Sequence, residues 1–91
     1  KIMIGIFMEE SVDYLQRLDT AFNIQSLEEL RSCSHAIKGA LGNLSAHQCF
    51  EVAKAIELHA LEDDMDAALA LWPVFVDCFA QLKTVLEQEL A

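Results

Sequence analysis

The residues best suited to chemistry cluster around one histidine, His35. Lys38 follows it at i+3 and Arg31 precedes it at i−4, so both cations lie within reach of an anion placed on the ring. A neutral imidazole is a usable nucleophile near pH 7. Gly39 and Gly42 follow at i+4 and i+7 on the same side as the histidine. Each glycine inside a helix costs about 1 kcal/mol relative to alanine, so the pair suggests that something approaches the backbone closely there.

The residues around His35 have the spacing of a single amphipathic helix. Apolar residues recur there at steps of three, seven, four and three, which is the period of one buried helix face: Leu27, Leu30, Ile37, Leu41 and Leu44. At about 100° per residue, His35 falls roughly 130° from the centre of this stripe. The spacing therefore predicts that the histidine points to solvent.

Residues 35–39 and 43–46 resemble the signature of the histidine phosphotransfer (HPt) domain of bacterial-type phosphorelays. The signature is His-x-x-Lys-Gly followed by Asn-Leu-Gly-Ala, and this chain has His-Ala-Ile-Lys-Gly and then Asn-Leu-Ser-Ala. Ser45 stands where the family often has glycine, and Ala40-Leu41 replaces a pair of small residues. The histidine, lysine and glycine positions keep the family pattern.

The resemblance implies a function and a set of partners. His35 would accept the phosphoryl group, Lys38 would stabilise its charge, and Arg31, Gly39 and Gly42 would meet the docking partner. That partner would be a response-regulator receiver domain whose phospho-aspartate and Mg²⁺ complete the site, so this domain would need no cofactor of its own. A cognate sensor histidine kinase is a second candidate partner. The domain would then be a cytoplasmic phosphoryl carrier with no turnover of its own.

Composition and charge favour one helical domain over residues 1–91. The chain is 54% hydrophobic, with one proline and three glycines. Its net charge of −9 argues against binding to nucleic acid or an anionic membrane. The apolar run from Ile2 to Met8 is too short to span a bilayer, so we expect no membrane contact by this domain. No Asp or Glu occurs between Glu29 and Glu51, so the histidine lies in an acid-free stretch.

The periodicity predicts four helices in an all-α, antiparallel, up-down-up-down bundle. The first covers residues 2–22, and the second begins after a capping box of Ser26 and Glu29 and ends near residue 44. Ser45 is predicted to cap the third helix, which ends near residue 61. The fourth follows an acidic turn over residues 62–66, whose aspartates are predicted to cap the start of the helix. Pro73 predicts a separate or bent segment over residues 66–72.

Several alternatives remain at this stage. The chain begins at Lys1 rather than a methionine, which suggests that it is a piece of a longer protein. Whether the domain is free-standing or part of a hybrid sensor kinase stays open. Cys33, Cys49 and Cys78 have neither disulfide-framework nor zinc-knuckle spacing, so buried thiols and no metal site are expected. The same helices would also suit an interaction module without phosphorylation. A histidine kinase's dimerising bundle is a third possibility, although the chain has no glycine-rich nucleotide loop of its own.

Overall fold

A computed structural model describes the backbone of residues 2–44 and 46–90 and the side chains of residues 5–44 and 46–89. These residues form four helices and no strand. The helices are α1 (Ile2–Asn23), α2 (Leu27–Asn43), α3 (His47–Leu61) and α4 (Met65–Leu90).

The helices pack in cyclic order. α1 contacts α2, α2 contacts α3, α3 contacts α4, and α4 returns to α1. The connections are short, covering residues 24–26, 44–46 and 62–64. Short connections between neighbouring helices are typical of antiparallel packing, so this arrangement is compatible with an up-down-up-down bundle. The prediction of an all-α four-helix bundle is confirmed.

Two helices end in the same hydrogen-bonded turn. After α1, Gln25 adopts φ 55°, the Ser26 amide donates to the Ala21 carbonyl at 3.0 Å, and the Gln25 amide donates to the Phe22 carbonyl. After α3, Asp63 adopts φ 57° and the Asp64 amide donates to the His59 carbonyl at 2.8 Å. Both are Schellman motifs, in which a left-handed residue satisfies the last carbonyls of the helix.

Helix starts were predicted with mixed success. The Ser26 hydroxyl accepts from the Glu29 amide at 3.2 Å, as predicted, but the Ser26 amide bonds to Ala21, so only half of the capping box forms. The acidic turn also behaves as predicted, because Asp64 Oδ1 accepts from the Ala67 amide at 3.1 Å.

The predicted cap of α3 needs correction. α3 begins at His47, so its N-cap position is Ala46, which makes no side-chain capping hydrogen bond. Ser45 lies outside the described residues. The cap position therefore falls one residue later than the capping-box pattern predicted.

The prediction of a separate segment over residues 66–72, before Pro73, is wrong, whereas a bend there stays a prediction. α4 runs without interruption from Met65 to Leu90, with Pro73 inside it. A proline has no amide to donate to the carbonyl four residues earlier, which belongs to Leu69. Leu69 is exposed, so water can replace the missing donor and the helix continues.

The core confirms the helical periodicity. Leu30, Ile37 and Leu41 of α2 are fully buried, while Leu27 and Leu44 pack at its edge. A row of aromatic rings joins α1 to α4, with centroid distances of 5.1 to 6.2 Å: Phe22–Trp72, Trp72–Phe75, Phe75–Phe79 and Phe79–Phe7. The buried stripe therefore fixes one face of α2 in the core, and the aromatic row packs α4 against α1.

Among the described residues, α4 alone is long and apolar enough to cross a membrane by length and composition. Its mean hydropathy over Met65–Glu89 reaches 1.4. Core helices of bundles pass the same test, and α4 packs against α1 and α3 through its buried aromatic face. The absence of membrane contact remains a prediction.

Candidate functional site

α2 directs His35 away from the core, as predicted. Its neighbours Ser34 and Ile37 are fully buried, and the Ser34 hydroxyl donates to the Leu30 carbonyl at 2.7 Å. The side chain of His35 is 71% exposed. The residues beside His35 thus anchor this part of α2 in the core, while the ring itself stays open to solvent.

A carboxylate from α3 joins the histidine to the lysine. Glu57 Oε2 lies 2.8 Å from His35 Nδ1, and Glu57 Oε1 lies 2.7 Å from Lys38 Nζ. The two oxygens therefore bind two different side chains of α2. This pair of hydrogen bonds ties the face of α2 that carries His35 and Lys38 to its neighbouring helix.

Glu57 is ionised despite its position. Its side chain is only 12% exposed, and burial by itself would raise the pKa of the carboxyl. The hydrogen bonds from Lys38 and His35, together with their charges, outweigh burial and hold the pKa below its ordinary value. Near pH 7 the carboxylate is therefore an acceptor only.

The ionised Glu57 determines which nitrogen of His35 is available. Because Glu57 can only accept, Nδ1 of His35 must carry the hydrogen of their 2.8 Å bond. In the neutral ring the lone pair then lies on Nε2, the nitrogen that is not bound to Glu57. An exposed imidazole with Nε2 unprotonated can attack an electrophile.

The two cations of α2 occupy different settings. Lys38 is 24% exposed and held by Glu57, so its charge is fixed one turn from the histidine. Arg31 is exposed one turn before His35 and makes no ion pair within the described residues. The sequence predicted that Lys38 and Arg31 lie beside the His35 ring. The structure adds that Lys38 binds Glu57, the carboxylate that orients this ring.

The two glycines also differ. A Cβ added to Gly39 would meet no atom within 4 Å, whereas one added to Gly42 would lie 3.5 Å from the Phe50 ring of α3. Nothing inside the described structure requires a glycine at position 39. Gly42, although exposed, has an ordinary packing neighbour.

The comparison with known families agrees with this geometry. The chain matches the sequence model of the Hpt domain family over residues 2–91. The chain belongs to this family. Hpt domains act in phosphorelays, where they carry phosphoryl groups. No curated protein and no solved structure gives a significant match.

Glu57 is the residue of this Hpt domain that sequence reasoning missed. The stretch without acids around His35 holds along the sequence but not in the fold, because α3 brings the Glu57 carboxylate into contact with the ring. One signal was present in the sequence. Glu57 lies four residues after Ala53 and three before Ala60, on the apolar stripe of α3, where an acid needs a partner.

The other histidines of the Hpt domain lack this environment. His47 is exposed at the start of α3, and His59 Nδ1 lies 3.9 Å from the exposed Glu62. No group of three or more metal-binding side chains occurs in the described part of the chain.

The cysteines are buried free thiols, as predicted. Burial, together with the neighbouring thiol of Cys78, raises the pKa of Cys49 to about 12. Burial also raises the pKa of Cys33. Neither thiol is therefore a nucleophile near pH 7.

Proposed function

We propose that His35 accepts a phosphoryl group from a receiver-domain aspartate and passes it on to another. The observation that supports this proposal best is the Glu57 hydrogen bond to Nδ1, which leaves Nε2 as the nucleophile on an exposed ring. Membership of the Hpt domain family supports the same reaction class.

The transfer needs only one bond to form and one to break. The lone pair of His35 Nε2 attacks the phosphorus of the aspartyl phosphate, and the bond from phosphorus to the aspartate oxygen breaks, restoring the carboxylate. The ring becomes a cation that carries hydrogen on Nδ1 and phosphorus on Nε2. Glu57 stabilises this cation through the 2.8 Å hydrogen bond, and the reverse sequence returns the phosphoryl group to a second receiver.

Lys38 and Arg31 have separate parts in this proposal. Lys38 neutralises Glu57 while the ring is unmodified, which prevents the carboxylate from repelling an incoming phosphoryl group. Arg31 is exposed and supplies positive charge from the preceding turn. We assign the Mg²⁺ of the reaction to the receiver's aspartate site, because the family resemblance implies it there.

Gly39 gives the receiver room to approach. It lies one turn after His35, and a side chain at this position would project into open space rather than into the domain. In-line attack needs the reacting atoms to approach to about 3–3.5 Å. A bulky residue beside the ring would hold a docked receiver beyond that distance.

The proposal includes a cellular setting. We infer a cytoplasmic phosphoryl carrier that works between receiver domains and, upstream, a sensor histidine kinase. The carrier would have no turnover of its own, since the transferred group must leave with a partner.

A transfer assay tests the proposed function. The protein is mixed with a receiver domain that carries radiolabelled aspartyl phosphate and Mg²⁺. We expect label on the wild type that is labile in acid and stable in alkali, none on His35→Gln, and normal labelling of His47→Gln. Label on His35→Gln contradicts the assignment. Receiver binding without any transfer would instead favour an interaction module.

A further inference from the structure

The outward face of α4 is apolar but uncovered. Leu69, Pro73, Val76 and Ala80 recur at steps of four, three and four, which places them on one helix face. All four are exposed, with Leu69 at 44% and Val76 at 43%. In the most apolar part of α4 only 22% of the residues are buried. An exposed apolar stripe of this length is unusual for a helix that has only solvent beside it.

A cleft adjoins this stripe where α4 meets α1. Its volume is about 380 Å³, and its walls include Leu15 of α1 and Trp72, Val76 and Phe79 of α4. Val76 belongs to both the stripe and the cleft. The two features therefore form one continuous apolar surface, which we call the α1/α4 face.

Acidic residues lie on both sides of the α1/α4 face. Glu9 and Asp19 are exposed on α1, and Asp66 and Asp77 are exposed on α4 at the far edge of the stripe. Lys83 is the one cation among the described residues that line the cleft. The face thus has an apolar centre with negative flanks.

We propose that the α1/α4 face binds an amphipathic helix of a partner protein, one with an apolar stripe bordered by lysines and arginines. Such a helix would place its apolar side chains over Val76 and the cleft and its cations beside the acids on either flank. This inference does not depend on the proposed phosphotransfer.

The location of this face permits two partners at once. The helices contact one another in cyclic order, so the seam between α1 and α4 lies across the bundle from the seam between α2 and α3. His35 and Glu57 span the α2/α3 seam. A helix bound at the α1/α4 face therefore leaves His35 exposed, so a receiver and the helix can bind at the same time.

Charge argues against the other occupants of this face. A second copy of the chain would bring the same acids against each other, and each copy carries a net charge of −9. An anionic membrane would be repelled for the same reason. A basic amphipathic helix gains from both the apolar centre and the negative flanks.

Trp72 provides a direct reporter for the test. It is the only tryptophan of the chain and lies in the wall of the cleft. The probe is a synthetic tryptophan-free helix with leucines along one face and lysines along the other, and the control peptide has glutamates in place of the lysines. We expect the leucine/lysine peptide to shift Trp72 emission to shorter wavelength in a saturable way, and the leucine/glutamate peptide to have no effect.

Two valine variants separate docking from simple charge attraction. Val76→Asp should weaken binding of the leucine/lysine peptide by about tenfold or more, although it adds a negative charge. Val85→Asp adds the same charge to an exposed valine of α4 that lies outside the cleft, and it should leave the affinity unchanged. Ala80→Asp is a second test of docking and should also weaken binding of the leucine/lysine peptide. Ala80 is exposed, so a polar side chain at this position should not disturb the core.

Four outcomes would overturn the proposal. They are equal or tighter binding by Val76→Asp, equal binding of the leucine/glutamate peptide, the same Trp72 shift with phosphatidylcholine vesicles alone, and a wild-type dimer in sedimentation that Val76→Asp dissociates. Phosphotransfer to His35 should proceed equally in Val76→Asp, so loss of peptide binding and loss of transfer are separate results.

Discussion

Glu57 of α3 accepts hydrogen bonds from both His35 Nδ1, at 2.8 Å, and Lys38 Nζ, at 2.7 Å. One carboxylate therefore fixes the tautomer of the histidine and the place of the lysine. The exposed ring would otherwise rotate freely, with either nitrogen protonated. The first predictions follow from this relationship.

Replacing Glu57 should affect transfer more than folding. In Glu57→Gln the amide cannot accept from both α2 side chains, and the partial charge left beside the cationic phosphohistidine is weaker. We expect single-turnover transfer from a phosphorylated receiver to slow by on the order of tenfold or more. Glu51→Gln, an exposed acid of the same helix, is the matched control. Equal rates for Glu57→Gln and wild type would remove Glu57 from the reaction.

Glu57 should also make the fold sensitive to acid. Its pKa in the folded protein lies below the ordinary value, so its ionised form stabilises the fold. This contribution is complete above the unfolded pKa of about 4.3 and is lost as the pH falls through the lower folded pKa. Urea unfolding at several pH values should show a steeper acid loss in wild type than in Glu57→Gln. Parallel pH profiles for the two proteins would contradict this role.

Lys38 should contribute to both transfer and stability. Lys38→Ala removes the cation that binds Glu57. The Glu57 carboxylate, which is only 12% exposed, then has only His35 as a hydrogen-bond partner. We expect transfer to slow by about tenfold or more, and the free energy of unfolding to fall by about 1 kcal/mol. Lys38→Arg should restore part of both effects, and Lys83→Ala, on the opposite side of the bundle, should change neither. A normal transfer rate in Lys38→Ala would exclude the lysine from the mechanism.

Gly39 should separate helix stability from docking. No atom lies within 4 Å of an added Cβ, so Gly39→Ala should stabilise the domain by about 0.5–1 kcal/mol, seen as a higher Tm. Gly39→Leu should keep the fold but slow transfer, because the longer side chain blocks the receiver. Circular dichroism and receiver titration measure the two effects. Unchanged receiver affinity in Gly39→Leu would refute the argument from close approach.

The sequence predicted what depends on local spacing. The apolar stripe of α2 predicted which of its faces is buried, and therefore that His35 is exposed. Ser26 predicted the start of α2, and the acidic turn that contains Asp64 predicted the start of α4. It could not predict Glu57 as the partner of the ring, because that contact joins residues 22 positions apart and depends on the rotation of α3 against α2. The prediction of a separate segment before Pro73 failed because the missing hydrogen bond falls on the carbonyl of Leu69, an exposed residue, where water can replace the amide donor.

Nitrogen-15 NMR of histidine-labelled protein tests the central claim most directly. Before phosphorylation, the ring of His35 should be protonated on Nδ1, and Glu57→Gln should lose this preference. After incubation with a phosphorylated receiver and Mg²⁺, coupling to phosphorus should appear on Nε2 of His35, while His47 and His59 remain unchanged. Phosphorus on Nδ1 of His35, or on either of the other two histidines, would contradict the account.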